Sequence, residues 1–71
     1  MMDVGTVGGV MLVPIAAQIK AAERELRYRI RVYPRWIEAG KITQQTANNE
    51  LAAMRAIVDT LQRVARREAL I

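Results

Sequence analysis

Five cationic side chains, Lys20, Arg24, Arg27, Arg31 and Arg35, recur along the chain at steps of 4, 3, 4 and 4. Four of them are arginines, whose planar guanidinium groups offer N–H donors in a fixed fork that matches phosphate or carboxylate oxygens two at a time. On one continuous helix all five would share a face roughly 80° wide, because residues three and four apart are neighbours on a helix surface. Tyr28 and Trp36 flank the row and supply rings that can stack on a base or on a guanidinium plane. The chemistry that fits is recognition of an anion: a nucleotide, a nucleic-acid backbone or an acidic protein surface. The same row also describes a solvated helix face that keeps a small oligomer soluble, and the residues alone leave both readings open. Like charges at this spacing repel by a few tenths of a kcal/mol per pair. Glu23, Glu25 and Glu38 can relieve that, with none squarely in line, and Arg29 lies off the row. Arg63, Arg66 and Arg67 form a second basic zone, accounted for by the favourable placing of cations at a helix C-terminus.

Catalysis has little to build on. The 71 residues include no Cys and no His, which excludes a disulfide framework, a thiolate nucleophile, an imidazole base and an ordinary zinc site. The carboxylates Glu23, Glu25, Glu38, Glu50, Asp59 and Glu68 are scattered, with no nucleophile–base pairing and no H-E-x-x-H. Gly5, Gly8 and Gly9 follow no strand and match no phosphate cradle. The expectation is a non-enzyme without cofactor or metal. With 11 Lys or Arg against 7 Asp or Glu, the net charge is +4, which suits an acidic partner.

The elements that must position these residues are helical. Pro14 suits a first helical turn, and Ala, Glu, Arg, Leu, Gln and Lys dominate from there to about Tyr33. Ile15, Ile19, Ala22, Leu26, Ile30 and Tyr33 form an apolar stripe at steps of 4, 3, 4, 4 and 3, the period of an amphipathic helix. The cationic row lies about 140° round from the centre of that stripe. Pro34 predicts an end or kink at Tyr33, followed by a short corner helix over Pro34–Ala39 that Gly40 closes in the left-handed region. Trp36 in that corner either plugs the end of the core or is exposed to a partner. Thr43 is a sound N-cap for a second helix running to about Glu68, with Ile42 and Ala47 as a weak hydrophobic staple.

The second helix carries Ala47, Leu51, Met54, Val58, Leu61 and Ala65, with Ile57 and Val64 to one side widening the stripe to roughly 140°. One partner helix cannot cover so wide a face. The predicted architecture is therefore all-α, an antiparallel hairpin of two long helices with a short corner helix, assembled into a homo-oligomeric bundle of at least two copies. Its predicted shared core is Ile15, Ile19, Leu26, Leu51, Met54, Ile57, Val58, Leu61 and Val64.

Residues 1–13 read as an apolar, glycine-containing arm, leaving 14–71 as a single helical-hairpin domain. The uncharged run Val4–Ile19 is about 16 residues, short of the roughly 20 a membrane span needs, and glycines and Pro14 interrupt it. Asp3, and the lack of Lys or Arg before the run, argue against a secretory signal. The expected location is the cytoplasm, without membrane association. Val10–Val13 would otherwise leave apolar surface in water, so the arm either stays loose or docks on a subunit or partner.

The segments Glu23–Leu26, Arg31–Ile37 and Gly40–Ile42, with Ala47, Glu50, Leu51, Met54, Ile57, Val58, Thr60 and Leu61, resemble a family of small phage and prophage helical proteins. Its pattern is a basic first helix and a VYPRW(V/I)xxG(K/R)(M/I) corner. The resemblance covers about residues 15–67. Ile37 and Ile42 stand where Val and Met are frequent, and the arm matches no family feature. The family has no settled activity, so no site residue is transferred. What the resemblance implies is a phage-borne accessory factor in a bacterial host.

The leading expectation is a non-catalytic, homo-oligomeric binder that inhibits or sequesters a host defence factor through the Arg-rich face. The target would be a protein or a small anionic nucleotide, the latter held by Arg24, Arg27 and Arg31 at a subunit interface. A nucleic-acid-binding accessory protein and a structural helical oligomer of virion assembly are the alternatives.

Overall fold

A computed structural model describes residues 12–70. They form two helices, α1 (Ile15–Glu38) and α2 (Gln44–Ala69), packed against each other as a hairpin. The antiparallel sense is fixed by cross-helix contacts. Arg29 on α1 reaches Glu50 on α2 at 3.1 Å, and further from the turn Gln62 donates to Glu23 at 3.3 Å. Among the described residues no helix is long and apolar enough to cross a membrane. The expected arm falls largely on residues 1–11, outside the described residues. Leu12 and Val13, at its end, are exposed.

The two helices start differently. Pro14 is the N-cap of α1 rather than its first helical residue, and it offers no side-chain cap. Its carbonyl accepts from the N–H groups of Ala17 and Gln18, and the Gln18 amide reaches back to the Val13 carbonyl at 2.9 Å. On α2, the Thr43 hydroxyl oxygen accepts the Thr46 N–H at 3.0 Å, satisfying one of the orphan donors of the first turn. Ile42 packs against a cluster that includes Ala47, the contact expected of a hydrophobic staple.

The corner departs from expectation. α1 does not stop at Tyr33, and there is no separate corner helix: the helix continues through Pro34 to Glu38. Proline removes one donor and crowds the carbonyl four residues back, here that of Ile30. The interruption lies one turn from the helix end, and Pro34 and Ile30 are both exposed, so water can take the missing donor's place. The final turn is held by other means. Tyr33 is buried, Trp36 and Ile37 pack on the same cluster, and the Tyr33 and Trp36 rings lie 5.5 Å apart between centroids. Three main-chain bonds then close the helix: Ala39 N–H to the Arg35 carbonyl, Gly40 N–H to Ile37, and Lys41 N–H to Trp36 at 2.8 Å. The last two form a Schellman motif, which requires a left-handed residue after the cap. Gly40 supplies it, at φ +75°.

The core is small and sits at the corner end. Among the described residues the buried ones are Val32, Tyr33, Ala47 and Met54. Val32 was not on the expected stripe. It is buried because the chain turns back beside it and brings Ala47 into the same cluster. Ile30, expected on the stripe, is 44 % exposed. Of the predicted shared core, Met54 is buried, while Ile15, Ile19, Leu26, Leu51, Val58, Leu61 and Val64 are half-buried and Ile57 is exposed.

Candidate anion-binding face

The continuity of α1 through Pro34 puts all five cations on one helix. Lys20, Arg24, Arg27, Arg31 and Arg35 are all exposed. They run for about 22 Å, from 15 residue steps of 1.5 Å each. The face they occupy points away from α2, because the α2-facing side is taken by Glu23, Arg29 and Tyr33.

Among the described residues no ion pair offsets the charge on this face. Among the described residues the ion pairs are Arg29 with Glu25 at 2.8 Å and with Glu50 at 3.1 Å, and Arg63 with Asp59 at 2.7 Å. Glu23 is turned to α2, accepting from Gln62. Glu23 and Glu25 are thus engaged elsewhere, and none of the five row members is ion-paired within the described residues. Arg29, half-buried beside the row, plays the opposite part. It ties α1 to α2, and its hydrogen bond to Glu25 raises its pKa above arginine's ordinary value, partly offset by burial.

Two ring residues were expected to flank the row, and the structure separates them. Tyr28 is 42 % exposed, with the Arg31 guanidinium carbon 5.5 Å from its ring centroid. A cation over a ring at that distance is held by about 0.5–1 kcal/mol at an exposed site, which limits the wandering of Arg31. Trp36 is half-buried on the Tyr33 side of the corner. It plugs the core end and leaves the row without an indole.

Glu38, expected to lie out of line with the row, is placed differently. With α1 unbroken, Glu38 falls in line with the row, one turn beyond Arg35. The signal available beforehand was the spacing Arg31, Arg35, Glu38, which stays in phase only if the helix passes Pro34. Pro34, Arg35, Ile37, Glu38 and Gln44 line a shallow depression of about 370 Å3 at the corner. A carboxylate beside its one cation makes that hollow a poor place for a small anion.

Arg63, Arg66 and Arg67 lie at the far end of α2, away from Arg35, as the antiparallel hairpin requires. Among the described residues no group of His, Cys, Asp or Glu could hold a metal ion. Comparison with protein families, with curated proteins and with solved structures finds no match to this chain in any of the three.

Proposed function

We propose that the chain is a non-catalytic, self-associating accessory protein whose α1 row docks on an extended anionic surface of another macromolecule and so sequesters or inhibits it. One observation carries this: five exposed cations in register over about 22 Å, free of ion pairs among the described residues. Small ligands are held in concave sites. A convex helix face instead lies along a surface or in a groove, which favours a macromolecule over a small nucleotide. The resemblance over residues 15–67 supports a phage-type factor acting on a host component in the bacterial cytoplasm. An acidic protein surface is the leading partner. Nucleic acid is the second reading, favoured by the even spacing and the predominance of arginine.

Fluorescence anisotropy against poly-glutamate, a 20-base-pair DNA duplex and ATP, at several salt concentrations, tests this. Poly-glutamate should bind, ATP should not, and Arg24→Glu with Arg31→Glu should remove binding. Arg55→Glu with Arg66→Glu, the same change in net charge elsewhere, should leave most of it. Preference for the duplex, with a log–log salt slope near about −4.5 for five phosphate contacts, would transfer the assignment to nucleic acid. Equal binding by the two double variants would sink the face altogether.

A further inference from the structure

The α2 helix carries a second seam that the hairpin leaves largely uncovered, Glu50 alone in it bonding across to α1. Glu50, Ala53, Ile57, Thr60, Val64 and Arg67 follow one another at steps of 3, 4, 3, 4 and 3. They occupy an arc displaced by roughly 110° from the side that faces α1. Ile57 is 48 % exposed at its centre. Beside it runs an apolar hollow of about 240 Å3 lined by Ala56, Ile57, Thr60 and Leu61. An exposed apolar side chain and the shallow hollow it borders thus lie on one surface, which a twofold interface can use on both copies at once.

Resting on the self-association proposed above, we infer that this flank is where a second copy docks, α2 against α2, antiparallel and in one register. With Ile57 opposite the partner's Thr60, the same register sets Ala53 opposite the partner's Val64, and each contact repeats by symmetry. Every apolar pair joins a larger side chain to a smaller one, so the two helices can approach closely without voids. The register also sets Glu50 opposite the partner's Arg67 at both ends. Glu50 keeps half its side chain exposed despite its bond to Arg29, and Arg67 is exposed and in no ion pair among the described residues.

A parallel arrangement of the same seam would oppose Ile57 to Ile57, Glu50 to Glu50 and Arg67 to Arg67, with like charges at both ends. The order of sizes and charges is therefore complementary to itself in the antiparallel sense alone. That order points to a copy of this chain as the occupant. The seam spacing of 3.5 residues drifts about 20° per heptad against a straight helix, the sign of a shallow left-handed crossing.

Sedimentation and light scattering of the full chain supply the first test. Ile57→Arg should weaken the dimer by roughly a hundredfold or more, because it puts an unpaired charge in the seam. Ile30→Arg, on the opposite flank, should leave it intact. Arg67→Glu should weaken it about tenfold, and adding Glu50→Arg should recover the loss even though it breaks the Glu50–Arg29 bridge inside the chain. Should Ile57→Arg also unfold the hairpin, cross-linking settles the register, since the chain has no native cysteine. Mixed single-cysteine variants Ile57→Cys and Thr60→Cys should oxidise to the mixed dimer faster than either does to its own. Faster joining of Ile57→Cys to itself overturns the antiparallel register. A dimer that survives Ile57→Arg overturns the seam but not self-association, whereas a wild-type monomer overturns both.

Discussion

Replacing Gly40 by alanine isolates the cost of the corner. Gly40 has φ +75°, and a Cβ added there meets nothing within 4 Å. The penalty is therefore conformational rather than steric contact with the rest of the fold. An L-residue in the left-handed region costs roughly 1–2 kcal/mol. The less flexible unfolded chain of the alanine variant offsets about 0.4–1 kcal/mol of that. The net destabilisation is about 1 kcal/mol, which lowers the melting temperature of a domain this size by about 4–8 °C. Thermal unfolding followed by far-ultraviolet circular dichroism measures it, at one protomer concentration for all variants, because melting of an associating chain depends on concentration. Gly40→Asn should lose less, since asparagine tolerates the left-handed region better. Alanine and asparagine variants melting together at the wild-type temperature would refute the assignment of the Schellman turn to Gly40.

Two further outcomes follow from the same corner. Pro34→Ala returns a donor for the Ile30 carbonyl and removes the ring's crowding, so it should raise stability by about 1 kcal/mol or more in a denaturant melt. A loss of stability there would mean that the proline sets a helix shape the core needs. Ala47 is 1 % exposed against Val32 and Tyr33, so Ala47→Leu should destabilise by about 1–3 kcal/mol through overpacking, read as a lower urea midpoint at unchanged slope.

Most of the helical frame was legible from the sequence because its signals are local. Thr43 followed by an unbroken periodic run specifies the start of α2, and Gly40 specifies the turn. The errors cluster around Pro34, where propensity and tertiary packing compete. Proline's preference to end a helix is intrinsic. The burial of Tyr33 and the packing of Trp36 and Ile37 that override it depend on α2 folding back. The burial of Val32 is equally non-local, since its stripe position is off-face and only the approach of Ala47 encloses it. The cationic row was readable from spacing alone, and its freedom from ion pairs was not. Glu25 could have served other cations of α1; it pairs with Arg29, which the bond to Glu50 across the hairpin holds in place.

The turn between α1 and α2 spans only residues 39–43 and bears a consequence for how the chain reaches its structure. Contacts nearest that turn join residues close in sequence, and each later contact joins residues further apart, so the hairpin can close like a zipper from the corner outward. Such a low-contact-order route is fast. It also sets the order of opening: the ends at Ile15 and Ala69 are last to lock and first to fray. In hydrogen exchange, amides around Val32 and Met54 should be the slowest and those of the outer turns the fastest.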